Sequence, residues 1–330
     1  MRAALRSVFV LVSAIVMACC LATPARAAEG ARYALLVQGA SGEEQYAVLH
    51  RRWLDSLASV LADRFKYDAA HLIVLAEQPK AGEQKSTSEN VRAVFARLAK
   101  TMTADDQLVI VFIGHGGGEG PDAKFNLVGP DLTVQEWNAL LKPVAGRLAI
   151  VDTTSSSFSY LAGLAAKDRV VITATSTYSQ RFHTQFPDGF VQALSSPDAD
   201  LDKDGRISLQ EAFVFASRSV KQYYEQKGTM ATESAVLDDT GSGKGKDAAA
   251  LASADVGLAG LTYLEGVPAR TSTDPETQRL LARQQALTEQ LDALRLKKAS
   301  LPPDQYDKQF ESLMLELAAV SRDVRQKTGK

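Results

Sequence analysis

Cysteine is nearly absent from this chain. There are two in 330 residues, adjacent at Cys19 and Cys20, and none follows. Beyond them the chain has no disulfide, no zinc–thiolate site and no thiol nucleophile to offer. An excess of one charge is missing too: 37 basic residues face 39 acidic ones, for a net charge of −2. That balance leaves no electrostatic footprint for nucleic acid or an acidic membrane surface, so no nucleic-acid partner is expected. Histidine is scarce, with four in the chain. With 45% hydrophobic and 23% charged residues, usage is globular, which excludes collagen-like, mucin-like and wholly disordered chains. The length predicts one large domain and something smaller.

The N-terminus carries the single long uncharged apolar run. Arg2 and Arg6 precede Val8 to Ala22, and Ala25-Arg26-Ala27 follows as an A-x-A cleavage signal. Residues 1–27 therefore read as an export signal. The run is shorter than the ~20 apolar residues that span a bilayer, so no transmembrane span is expected in the mature chain. Val16-Met17-Ala18-Cys19 resembles a bacterial lipobox, which leaves lipid attachment at Cys19 as a second route. Losing Arg2, Arg6 and Arg26 with the leader takes the net charge from −2 to −5. The expected location is periplasmic or secreted.

The body alternates short apolar runs with helical spacing. Tyr33–Val37, Leu72–Leu75, Gln107–Ile113, Leu148–Val151 and Val170–Ala174 read as buried strands. Between them, Tyr46 to Phe65 has an apolar stripe of Val48, Leu54, Leu57, Val60 and Leu61. Helices are also expected over Glu89 to Met102, capped by Ser86 or Ser88, and over Leu132 to Leu141. Continuous apolar strands separated by amphipathic helices predict an α/β fold, a mostly parallel sheet with helices on both faces. Ligands of such sheets bind beyond the carboxyl ends of the strands. Here those ends are Gly39-Ala40-Ser41, Gly114-His115-Gly116 and Asp152-Thr153-Thr154-Ser155.

His115 stands in the glycine-rich loop after the most apolar strand, placed to act as a general base or simply to steady the loop by hydrogen bonding. The other histidines read as structural or exposed: His50 on a helix, His71 before a strand and His183 in a polar loop. His115-Gly116-Gly117-Gly118 resembles the oxyanion loop of esterases, but no G-x-S-x-G elbow accompanies it. Gly241-Ser242-Gly243-Lys244 lacks the earlier glycine and the following hydroxyl of a phosphate-binding loop.

The order of these segments resembles the caspase–legumain class of cysteine peptidases, over about residues 32 to 245, and most of all bacterial legumain-like proteins. The match lies in Gly114-His115-Gly116, then Val151 to Ser157, then Val170 to Thr175. The resemblance implies a caspase-like sheet, with the catalytic histidine falling on His115 and the catalytic cysteine on Thr154. The family's Ser-Gly falls on Ser156-Ser157. The cysteine is thus missing. A thiol is partly ionised near neutral pH, whereas a threonine hydroxyl is far less acidic and its β-methyl restricts rotation. The expectation is a non-catalytic relative acting as a binding or scaffold module. The alternative is a peptidase or other acyl hydrolase using Thr154, Ser155 or Ser156 with His115, for which no third orienting group stands out.

The most specific motif is Asp200-Leu201-Asp202-Lys203-Asp204-Gly205-Arg206-Ile207-Ser208-Leu209-Gln210-Glu211, which fits D-x-D-x-D-G-x-I-x-x-x-E. Calcium takes about seven hard oxygens, and an EF-hand-type loop supplies them from positions 1, 3, 5, 7, 9 and 12. These are Asp200, Asp202, Asp204, the Arg206 carbonyl, Ser208 and Glu211, with Gly205 at the tight turn. The apolar flanks at Phe190–Leu194 and Ala212–Ala216 suit helices. One good loop rather than a pair favours a structural clamp over a switch. Asp238 to Gly243 is a degenerate echo, with Ala249 where a second loop would need Glu, and reads as a glycine-rich loop.

Lys244 to Ala254 has a linker composition. Residues 274–299 and 304–326 then read as two helices, the first striped by Leu280, Leu287, Leu291 and Leu294. Leu301-Pro302-Pro303 breaks the pair, and Tyr306, Phe310, Leu313, Leu317, Val320 and Val324 step at heptad spacing in the second. A C-terminal coiled-coil-like α-helical hairpin is expected, folded onto its own domain or packed on another chain. The expected organisation is a signal over 1–27, the α/β domain with its calcium loop over 28–266, and the hairpin over 267–330. A protein or peptide partner would meet the sheet-edge cleft or these helices.

Overall fold

A computed structural model describes residues 30–252, 256–266 and 272–328. The expected signal and Cys19 lie outside the described residues, as does the end of the linker at 253–254. In chain order the first elements are β1 (Arg32–Gln38), α1 (Glu44–Ser59), β2 (Leu72–Ala76), β3 (Gln84–Lys85), α2 (Ser88–Thr101) and β4 (Gln107–Ile113). Next come β5 (Gly116–Gly117), β6 (Lys124–Phe125), β7 (Leu132–Thr133), α3 (Val134–Leu141), β8 (Arg147–Asp152) and α4 (Phe158–Gly163). The remainder is β9 (Arg169–Thr173), α5 (Phe186–Ala193), α6 (Leu209–Lys227), β10 (Val236–Asp238), α7 (Ala248–Ala252), α8 (Pro275–Leu296) and α9 (Pro303–Thr328).

The fold is α/β. One sheet runs β10-β9-β8-β4-β1-β2-β3, parallel throughout except for β10, which is antiparallel to β9. The strand period of two sends alternate residues to opposite faces. Along β1, Ala34 and Leu36 join the core beneath α1, α5 and α6, while Leu35 and Val37 join the core beneath α2 and α3. Both faces are covered, so every residue of β4 is buried, which is why that strand is a continuous apolar run.

The chain leaves β1 toward β2 and β3 on one side, then returns to β4 on the other. Beyond the carboxyl ends of β1 and β4 there is thus a topological switch point, the crevice where open α/β sheets take ligands. The β1–β4 register ends at Gln38 beside Ile113, so Ser41 and His115 emerge together there.

Several local expectations are corrected. Val48 is 68% exposed, because the buried stripe of α1 is His50, Trp53, Leu54 and Leu57, at i, i+3, i+4 and i+7. The α2 cap is Thr87, whose hydroxyl accepts from the Asn90 amide at 3.3 Å, not Ser86 or Ser88. Leu132 and Thr133 are strand rather than helix, paired with β6 in a small antiparallel sheet. The linker composition hides an ordered segment: Lys246 exchanges two backbone hydrogen bonds with Leu237, and alanine-rich α7 buries Leu251.

The C-terminal helices pair as an antiparallel-type hairpin. Leu281, Leu287, Leu291 and Leu294 are the buried leucines of α8, with Leu280 only half-buried, so the first turn of the stripe is shifted by one residue. Ion pairs Arg283–Glu316 and Lys327–Glu276 tie α8 to α9. The hairpin also leans on its own domain, where Arg206 meets Asp292 at 3.1 Å.

Candidate functional site

The loop after β4 and the turn after β8 touch. A Cβ added to Gly116 would lie 3.0 Å from the Ser155 carbonyl oxygen and 3.2 Å from Thr154 Oγ1. Gly114, at φ +146°, makes the bend that brings the loop across. His115 and Thr154 therefore stand on neighbouring segments, yet their side chains engage different partners. Thr154 is buried, and its hydroxyl donates to Asp152 Oδ1 at 2.7 Å; its amide donates to the same oxygen at 3.0 Å. Among the described residues no hydrogen bond joins His115 to Thr154, Ser155 or Ser156.

The rest of the turn is held in place, with Ser156 half-buried. Ser155 is buried, and Ser156 is a non-glycine residue at φ +58°, its amide held by the Gln180 carbonyl at 3.2 Å. Ser157 Oγ is engaged with Thr175 Oγ1 at 3.0 Å. Asp152 is fully buried, and burial lifts its pKa to about 7, against the two hydrogen bonds from Thr154. Its Oδ2 has no hydrogen-bond partner among the described residues.

His115 faces a different neighbourhood from the one expected. Its ring packs edge-on against Tyr46 at 4.8 Å and against His50 at 5.0 Å, with His183 at 6.2 Å. His50 lies on a helix and His183 in a loop, as the sequence suggested; what the sequence did not show is that three of the four histidines converge. His50 is fully buried on the core stripe of α1, and its Nδ1 meets Ser41 Oγ at 3.2 Å. His183 stacks on Trp53 at 5.7 Å with an interplanar angle of 4°. Burial pushes all three imidazoles toward the neutral form, His50 to about 3, where the neighbouring histidines lower it further. The Glu43 carboxylate and the Ser41 backbone partly offset burial at His115. The signal for His50 was legible in its i, i+3, i+4 spacing with Trp53 and Leu54. His183 lies in a loop with no periodicity to place it.

The acidic loop forms a separate site between α5 and α6. Carboxylate oxygens of Asp200, Asp202 and Asp204 lie within 4.8 Å of one another. The loop is shaped from within: the Gly205 amide donates to Asp200 Oδ2 at 3.1 Å, the Asp204 amide to Asp202 Oδ1 at 3.0 Å, and the Arg206 amide to Asp204 Oδ1 at 2.7 Å. Gly205 turns at φ +88°. Glu211 does not join the aspartate group. Its Oε1 accepts from the Leu201 amide at 2.8 Å, and its Oε2 completes a capping box with Ser208 at the start of α6. Asp200 Oδ1 is buried without a partner. Burial, followed by the charges of Asp204, Glu211 and Asp200, raises the Asp202 carboxyl, relieved in part by the Asp204 amide. The Arg206 side chain lies over the Tyr263 ring at 3.6 Å while its Nη2 still meets Asp204 Oδ2 at 3.4 Å. The degenerate echo holds itself closed, with Asp238 accepting from the Thr240 and Gly243 amides.

No protein-family model matches the sequence, and no curated protein matches it. Solved structures similar in fold include protein GSU0716 from Geobacter sulfurreducens, 13% identical, with a TM-score of 0.43 over 63% of this chain and 92% of that one. They also include the Drosophila initiator caspase Dronc, 12% identical, with a TM-score of 0.39 over 65% of this chain and 81% of that one.

Proposed function

We propose that the chain is an exported, calcium-stabilised protein on a caspase-like frame that does no peptidase chemistry and serves as a binding or scaffold module. One observation carries the reading. The hydroxyl at the position of the expected cysteine is buried and donates to Asp152, while His115 faces Tyr46 and two other histidines. Attack on an acyl carbon needs an exposed nucleophile whose proton passes to a base within hydrogen-bond reach. Thr154 has neither the exposure nor the histidine.

Calcium fits the acidic loop by the chemistry of its donors. Three carboxylates gather on one turn, and Asp200 offers a buried oxygen with nothing to neutralise it. Asp200, Asp202, Asp204 and the Arg206 carbonyl would hold the ion, with Ser208 and Glu211 closing the loop at the start of α6. The ion supplies positive charge that relieves the repulsion among these carboxylates and fixes α6 against the sheet. Magnesium, which demands octahedral geometry, competes poorly at such a site. The partner surface belongs to the sheet-edge cleft or the hairpin, where Leu315 of α9 is 66% exposed.

The test is activity-based labelling of the purified chain with a fluorophosphonate, together with cleavage of a peptide library, in calcium. The expected result is no labelled serine or threonine and no cleavage. Labelling at residue 154, 155 or 156 that His115→Ala abolishes would establish the hydrolase alternative instead.

A further inference from the structure

The convergence of His50, His115 and His183 leads beyond the calcium loop and does not depend on it. These residues come from three separate segments, α1, the loop after β4 and the loop before α5, and they meet beyond the carboxyl ends of β1 and β4. One ring nitrogen from each lies within 4.8 Å of the other two. Around a tetrahedral zinc ion, bonds of about 2.0–2.1 Å place neighbouring ligand nitrogens ~3.3 Å apart. Small rotations of the three rings close that difference.

Two of the three second nitrogens are disposed as ligation requires. A metal-bound imidazole uses its other nitrogen on a hydroxyl, carbonyl or carboxylate, which fixes the ring. Ser41 performs this service twice: its hydroxyl meets His50 Nδ1 at 3.2 Å, and its backbone faces the His115 ring. The Ser41 amide is itself anchored on Glu77 Oε1 at 3.1 Å. What is left over points to a missing partner. His50 Nε2 and His183 Nε2 are buried and have no hydrogen-bond partner among the described residues. Two orphaned acceptor or donor atoms in one crevice are costly, because buried polar groups are almost always paired. The His183 loop is also pinned, with the Thr184 hydroxyl donating to the Thr153 carbonyl at 2.6 Å and Glu233 accepting from the Gln185 and Phe186 amides. Rigid support of this kind preorganises a site.

We propose that His50, His115 and His183 form a three-histidine site for a zinc-class divalent metal ion, braced by Ser41, with the fourth position left for a water molecule. Imidazole suits zinc, cobalt, nickel and copper and is a poor match for calcium, so the two metal sites of the chain divide by ligand softness. His115 on this assignment is a ligand and not a proton acceptor for Thr154.

The experiment uses the full chain without an affinity tag, carrying Cys19→Ser and Cys20→Ser so that no thiol competes. Metal-stripped protein is titrated with zinc sulfate by calorimetry and with cobalt chloride by visible absorption. One equivalent of zinc is expected at micromolar affinity or tighter, with the intense absorption of tetrahedral cobalt. His183→Gln and His115→Gln should each weaken binding by at least about 100-fold, and Ser41→Ala by the 10–100-fold typical of an outer-shell partner. Circular dichroism confirms that each variant is folded; both tested histidines are only half-buried, so the fold does not hang on them. Excess calcium and Glu211→Gln should leave zinc binding unchanged. Binding no tighter than millimolar, or zinc affinity retained in either histidine variant, would overturn the assignment.

Discussion

Thr154 gives its hydroxyl hydrogen to Asp152, 2.7 Å away in a fully buried corner at the end of β8. Both residues are buried, Asp152 completely, so the hydroxyl and the carboxylate are closed off together from solvent. Asp152 Oδ1 collects both donors of Thr154, while Oδ2 faces no partner among the described residues. The pair is a local side-chain hydrogen bond of the kind that stabilises tight turns.

That buried carboxyl sets a pH dependence. Its folded pKa is raised to about 7 by burial, whereas an unfolded aspartate titrates near ~3.9. A raised folded pKa contributes stability that is fully present below the unfolded value and is lost as pH rises through the folded one. Between pH 4 and 7 the contribution of Asp152 should fall by up to about 4 kcal/mol. Asp152→Asn keeps an oxygen for Thr154 and removes the charge. In urea denaturation at pH 5 and at pH 8, the variant should lose less stability across the interval than the parent chain. Identical differences between the two pH values in both proteins would show that Asp152 does not titrate in this range.

Glu211 accepts backbone hydrogens from both ends of the acidic loop, at Leu201 and at Ser208. Glu211→Gln keeps the shape and removes the charge, so it should cost about 1–3 kcal/mol without metal, as weakened hydrogen bonds to a charged group do. Added calcium should raise the melting temperature of the parent chain, and chelator should reverse it. The variant should show little of that rise. Equal calcium-induced shifts in both proteins would remove Glu211 from the clamp.

Arg206 joins the loop to the hairpin. It is nearly buried, pairs with Asp292 of α8 at 3.1 Å and covers the Tyr263 ring at 3.6 Å. Arg206→Ala should destabilise the chain by about 1–3 kcal/mol, since it removes a cation–π contact and takes the 3.1 Å ion pair from Asp292, which keeps a longer one to Arg295 at 3.4 Å. A double-mutant cycle with Asp292→Ala, read by chemical denaturation, should give a coupling above ~0.5 kcal/mol. Additive losses would mean that the hairpin is not anchored through this pair.

Pattern carried much of the architecture. The apolar run of β4 and the runs of β1, β8 and β9 announced a sheet covered on both faces, because strands buried twice cannot alternate with polar residues. The spacing of Asp200, Asp202, Asp204 and Gly205 announced a turn that gathers carboxylates, because those oxygens come from one short stretch of chain. The lack of a thiol beyond the N-terminal segment was likewise plain, since the sequence has no cysteine after Cys20. Where a group's partners lie far away in the sequence, composition and periodicity are silent. His50, His115 and His183 are separated by whole strands and helices, and only the order of β1 and β4 in the sheet brings them to one crevice. Thr154 gives its hydroxyl to Asp152 within the β8 turn, and the loop at Gly116 packs close to that same hydroxyl, a contact between segments far apart in the sequence. Side chains drawn together by chain crossovers leave no local signature, so the tertiary fold alone separated a plausible histidine–hydroxyl pair from the cluster of histidines that stands in its place.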